Sequence, residues 1–201
     1  MLPMLNRLAT ALSSRTRDPK PASIAAWTGL GLSLTPFLEY AWHAWIAHGS
    51  RPDATRTQHL EHHRTAHTVR DPWEEMRDNA ARIAINLLST GAVLFPVVGR
   101  RRSLSLTLGL AAGYALTTLY HAQMHERPPQ GRYEEWMWRF HWHHHAVDAR
   151  VNFGLTNPLF DFAFGTAVVP DEVPIPDRLV PAWLTHDRPG FRIRHRPPAA
   201  A

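Results

Sequence analysis

Three long stretches of this chain are almost without charge, and they limit its fold more than any other feature. Ile24 to Ile46 carries only Glu39, and Ala80 to Val98 and Ser103 to Tyr120 together carry only Arg82. As a helix, each is about long enough to cross a hydrocarbon core, which takes roughly 20 apolar residues. The segments between them are dense in Arg, His, Asp and Pro. Strand signals are weak, the best lying near Val151–Phe153 and Phe191–Ile193, so the chain reads as all-α.

This order predicts a basic lead-in over 1–22, a membrane-embedded helical domain over 23–166 and a Pro/Arg-rich tail over 167–201. The lead-in has no small-residue cleavage site before its basic run, so it reads as an amphipathic approach to the membrane rather than a signal peptide. The tail shows little helix or strand periodicity. The formal charge of +5 comes from basic residues scattered among acids and prolines, not from a stripe, which argues against nucleic acid as a partner. There are no cysteines, so a disulfide framework or thiolate metal site is excluded, and any metal must sit on nitrogen and oxygen.

Histidine supplies that nitrogen. Of the 14 histidines, 11 fall in four tight groups, each at or just beyond the boundary of an apolar stretch. His43 and His48 stand in "HAWIAH", and His59, His62 and His63 in "HLEHH". His121 and His125 stand in "HAQMH", and His141, His144 and His145 in "HWHHH". On a helix, positions i, i+3 and i+4 share one face, so the second, third and fourth groups each gather on one side. His143 points away from that side. The i, i+5 pair of the first group does not fit an ideal helix, so it either straddles a helix end or reaches two different metals. His67, four residues after His63, continues the same stripe.

Any one such group is weak support for a site, since paired histidines are often solvated or buried for other reasons. Four together are a different matter. Ten ligands exceed what one zinc or one six-coordinate iron can use, so two metals sharing the set is the economical interpretation. Imidazoles are neutral ligands, and acids are then needed behind them to balance charge. Glu39, four residues before His43 inside an apolar run, is the first candidate to orient His43 or balance charge. The alternative for Glu39 is a carboxylate reaching out to headgroups. Glu61, Glu126, Asp148 and Asp161 are further candidates, each equally readable as a solvated loop acid.

In order and spacing, the four boxes resemble those of the fatty acid hydroxylase and sterol desaturase superfamily of integral-membrane, non-haem di-iron enzymes. The stretch "NFGLTNPLFDFAFGT", Asn152 to Thr166, also resembles the segment after the last box in fatty acid hydroxylases, and the likeness covers about Glu39 to Thr166. The resemblance implies an integral-membrane helical bundle with a histidine-rich cytosolic cap holding a dimetal site. Its ligands would be His43, His48, His59, His62, His63, His121, His125, His141, His144 and His145. It also implies two iron ions, replaceable by zinc in purified protein, with O2 as co-substrate and a lipid as substrate. Nitrogen ligands suit iron, and a cysteine-free site avoids thiol oxidation.

No His-Pro-Gly-Gly segment occurs, so electrons are expected from a separate donor such as ferredoxin or cytochrome b5 with its reductase. The leading expectation is hydroxylation of a fatty acyl chain. Carotenoid β-ring hydroxylation and sterol desaturation are alternatives within the superfamily, and a non-catalytic metal-binding membrane protein is the alternative from another class. Basic residues in the histidine-bearing segments put those segments in the cytoplasm by the positive-inside tendency. The Arg100 to Arg102 turn between the second and third apolar stretches argues the other way.

Overall fold

A computed structural model of the chain describes residues 21–65, 77, 80–184 and 193–196. Six α-helices dominate: α1 (Pro21–Ala41), α2 (Ala54–Arg64), α3 (Ala80–Val98), α4 (Arg100–Glu126), α5 (Arg132–Ala146) and the short α6 (Leu159–Phe164). A π-helical turn, Trp42–Ala47, continues α1 directly. The tail, where sequence gives little periodicity beyond the β-like run ending at Ile193, contains β1 (Val173–Pro176) and β2 (Ile193–Arg196), paired in parallel with Val173 opposite Ile193. Alternating burial along β1 explains the strand: Val173 and Ile175 are fully buried, while Pro174 and Pro176 are less so. The β-like run at 151–153 forms no strand.

The chain divides into two compact units. The first takes α1 up to Thr35, all of α3 and α4 up to Tyr114. Its helices approach closely because small residues face one another. A Cβ on Gly31 would strike the Leu106 carbonyl, one on Gly109 the Thr28 carbonyl, and one on Gly113 the Thr35 side chain. Gly109 and Gly113 lie four apart in "GLAAG", a spacing that puts both on one face and lets backbones meet. Ser103 Oγ donates to the Gly91 carbonyl at 2.6 Å, tying α4 to α3. Gly99, at φ 84°, makes the left-handed turn between those two helices, after which Arg100, Arg101 and Arg102 open α4 exposed to solvent.

The three apolar stretches do form helices, of 21, 19 and 27 residues. Among the described residues, no helix is long and apolar enough to cross a membrane. Ser, Thr and Gly dilute α1 and α4, and three arginines begin α4. Large apolar side chains are nonetheless exposed along α3 and α4, including Ile85, Leu88, Val93, Val97, Leu104 and Leu108.

The second unit holds every histidine box. Its hydrophobic core gathers Met124 of α4, Met137, Trp138 and Trp142 of α5, and Val173, Ile175, Leu179 and Leu184 of the tail. Three indoles spend their N–H groups on backbone carbonyls: Trp142 on Met124 at 3.1 Å, Trp138 on Arg127 at 3.0 Å and Trp183 on His125 at 3.0 Å. The core therefore fixes the backbone of the third and fourth boxes from behind, with the tail supplying half of it.

Candidate metal centre

Each box sits where a helix begins or ends. α2 starts at Asp53, whose carboxylate accepts from the Arg56 N–H at 2.8 Å, and it ends just past His62 and His63. The first box lies in the π-turn. There the His48 N–H donates to the His43 carbonyl at 3.0 Å, an i to i+5 bond. In an α-helix, residues five apart point about 140° away from each other; the wider π-turn brings both imidazoles to one side. The first box thus serves one cluster. Of the two alternatives for this pair, the helix end is the one seen: the rings straddle the turn that closes α1 rather than parting to two clusters.

Two clusters of ring nitrogens result. His43, His48, His59, His63 and His144 form one, and His62, His121, His125 and His145 form the other, the nitrogens within each lying no more than 4.8 Å apart. His141 adjoins the second, its Nε2 2.9 Å from that of His125. The HxxHH boxes therefore do not point one way as expected. His59 and His63, four apart, face the first cluster, while His62 turns to the second. Likewise His144 and His145, about 100° apart on α5, go one to each.

Within the first cluster, Nε2 atoms meet at 3.0 Å (His43 to His59), 2.9 Å (His48 to His59) and 3.1 Å (His48 to His63). Nδ1 of His43 lies 2.5 Å from the Phe153 carbonyl, and Nδ1 of His144 lies 2.6 Å from the Val151 carbonyl. A carbonyl only accepts, so both Nδ1 atoms carry the proton and both Nε2 atoms present lone pairs. The Nε2 atoms of His62, His144 and His145 are buried without a hydrogen-bond partner. Converging lone pairs repel and an unpaired buried nitrogen is costly, and a shared cation relieves both. The residues fit two metal ions.

Burial also keeps the rings neutral. It pushes His62 down to about 4, and His48 to about 4 with the Arg56 charge adding to the effect. His63 falls to about 2, through burial and then the neighbouring His48 and His62, and burial takes His141, His144 and His145 well below their ordinary range. Neutral imidazole is the form that binds metal.

The acids fall into two kinds. Glu39 is buried, and its carboxylate bonds to groups other than the His43 ring. One of its oxygens accepts from the N–H groups of Leu155 and Thr156, the other from the hydroxyls of Thr156 and Thr117, at 2.8 and 2.9 Å. A carboxylate so enclosed is not reaching toward headgroups. It pins the loop whose Phe153 carbonyl holds His43. Asp161 is fully buried and accepts from the N–H groups of Phe153 and Gly154 and from the Thr166 hydroxyl, at 2.7 to 2.8 Å. Glu61 and Asp148 instead make exposed ion pairs with Arg64 and Arg150, and Glu126 is exposed. His143 lies outside both clusters, and His67 lies outside the described residues.

The fatty acid hydroxylase family matches residues 28–166, well over half of the chain. The chain belongs to that family. The match begins earlier than the likeness seen in the boxes alone, at Thr28, and ends at the same Thr166. A solved structure of full-length Scs7p, in which only the hydroxylase domain is visible, is similar in fold. The TM-score is 0.57 at 16% identity, over 85% of this chain and 66% of that one. No curated protein matches. The family span includes Glu39, all ten box histidines and Asp161, but not Trp183, which lies 17 residues beyond it and holds the His125 carbonyl.

Sequence reasoning passes over Asn152, which is fully buried at φ 60°, a conformation in which Asn is one of the few tolerated side chains. Its amide bonds the Phe140 and Val168 carbonyls at 3.0 and 2.9 Å and accepts from the Val168 N–H at 2.7 Å. An Asn before "FG" is the available signal.

Proposed function

We propose that this chain is an O2-dependent membrane lipid hydroxylase that hydroxylates a fatty acyl chain at two irons held by His43, His48, His59, His62, His63, His121, His125, His141, His144 and His145. The observation that carries this reading is the division of the boxes into two groups of facing imidazole nitrogens. When bound, a pair of irons supplies activation of dioxygen and an oxidant able to attack an unactivated C–H bond. The chain's own residues do the rest. Neutral rings offer lone pairs, and the Phe153 and Val151 carbonyls orient two of those rings. The buried tryptophans keep water from the backs of α4 and α5.

Membership in the fatty acid hydroxylase family supports an acyl substrate over a carotenoid ring or a sterol. The apolar side chains exposed on α3 and α4 support a lipid environment, which also delivers an apolar substrate. A separate carrier such as ferredoxin or cytochrome b5 would supply electrons at the cytoplasmic face.

Metal analysis of detergent-purified protein, paired with mass spectrometry of lipids from cells with and without the gene, tests the reading. About two metals per chain and an acyl lipid gaining one oxygen only when the gene is present is the expected result. Metal without any change in lipids would favour a metal-binding protein with no catalysis. Single cysteines at the exposed positions Ser50 and Arg102, probed with an impermeant thiol reagent in intact and opened cells, test the orientation. Labelling of Ser50 from outside intact cells would refute a cytoplasmic site.

A further inference from the structure

The two clusters are not built alike. The carbonyls of Phe153 and Val151 accept from Nδ1 of His43 and His144; the two carbonyls belong to one loop and the two rings to the first cluster. That loop is fixed from two sides. Asp161 holds the N–H groups of Phe153 and Gly154, and Asn152 ties it to Phe140 and Val168. In the second cluster, by contrast, Nδ1 of His145 is buried with no hydrogen-bond partner, as is that of the adjoining His141.

We propose that Asp161 is a positioning residue that makes the first cluster the tighter metal site, so that the two sites fill in order. This rests on the dimetal reading above. A ring whose Nδ1–H already donates to a fixed carbonyl is set in tautomer and direction before metal arrives, and its Nε2 is the more basic for it. His145, whose Nδ1 has no such anchor, must order as it binds. Asp161 acts at one remove: one oxygen holds the Gly154 N–H of the peptide that carries the Phe153 carbonyl, and the other holds the N–H of Phe153 itself. Asn at that position has one oxygen and one NH2, so one of the two N–H groups would face another donor.

The full chain, purified in detergent and stripped by chelation, is titrated with Co(II) against a competing chelator while the metal's visible absorption is followed. Two steps are expected, the first at least about tenfold tighter, in line with the ten- to hundredfold that such supporting groups contribute. His144→Ala should remove the tight step and His121→Ala the weak one. Asp161→Asn should weaken the tight step by about ten- to hundredfold and leave the weak step in place. Thr166→Val, which removes one of the three donors to Asp161, should shift the tight step in the same direction by less, and it carries the test if Asp161→Asn does not fold.

A general loss of stability is separated by Glu134→Gln. This variant breaks the pair with Arg127 and should lower the melting temperature without moving the tight step. Two steps of equal affinity, loss of the tight step in His121→Ala, or an equal shift of both steps in Asp161→Asn overturns the proposal while leaving two metals in place. No cobalt bound at all would refute the dimetal reading itself.

Discussion

His62 and His63 are adjacent in sequence and serve different clusters. The His63 Nε2 lies 3.1 Å from that of His48, while the His62 ring packs against His121, His125 and His145 with centroids 4.8 to 5.0 Å away. One turn of α2 thus contributes to both proposed metal sites.

Replacing either residue with alanine should therefore abolish lipid hydroxylation, but through loss of different metals. Each variant should retain about one metal per chain, since loss of one ligand weakens its own site first. Combining His62→Ala with His121→Ala should cost no further metal, whereas combining it with His48→Ala should empty both sites. His143→Ala is the control, expected to stay within about 0.5 kcal/mol of the parent in stability and to keep its metal.

Glu39→Gln should destabilise the chain by about 2 kcal/mol or more, because an amide cannot accept from all four donors that surround the carboxylate. Thermal unfolding in detergent measures this. Metal content should fall with it, since the loop bearing the Phe153 carbonyl loses its anchor. An unchanged melting temperature would mean that the Leu155 and Thr156 contacts do not hold the loop.

The metal-free chain should lose stability as the medium is acidified. His48 and His62 have folded values of about 4, below the ordinary value of about 6.5, so the unfolded chain takes up protons first as pH falls. Their contribution is fully present above about 6.5 and is lost as pH drops toward 4. It is on the order of 3 kcal/mol for His62 and less for His48, which lies nearer to solvent and is screened by it. Urea unfolding of the chelated protein at pH 7 and pH 5 checks the sign. Equal stability at both would contradict it.

Two glycines should respond in opposite directions. A Cβ at Gly109 would meet the Thr28 backbone, so Gly109→Ala should cost about 1 to 3 kcal/mol. Gly29 also lies within a helix but has nothing within 4 Å of its would-be Cβ, so Gly29→Ala should stabilise by about 0.5 to 1 kcal/mol. Melting temperatures of the two variants, compared with the parent, decide both.

The helices and the histidines that gather in the two clusters are legible in the sequence because apolar runs and histidine spacing are local signals. How the ligands divide is not. That division depends on the 100° step between neighbours such as His144 and His145 and on where the facing helices lie, which spacing within one box does not report. Glu39 stands out as a charge in an apolar run, but its partners, Thr117 and the 155–156 loop, are 78 or more residues away in sequence. Asp161 looks like any loop acid, because its burial comes from the loop folding over it. The strand β1 is hidden since two of its four residues are proline. The "GLAAG" spacing in α4 is a local signal too, and it is easily passed over beside the histidines.

The π-turn at Trp42–Ala47 bears on how boxes of this kind are counted along a chain. A fifth step between His43 and His48 is absorbed by looser winding, so both rings arrive where a four-step pair would put them on an ordinary helix. Insertion or deletion of a single residue there is thus a change of pitch rather than a change of chemistry. A chain with three residues between its first two histidines and a chain with four can bring the same two rings together, and deleting Ala44 is a direct way to see whether the turn rewinds and leaves the proposed metal site able to bind.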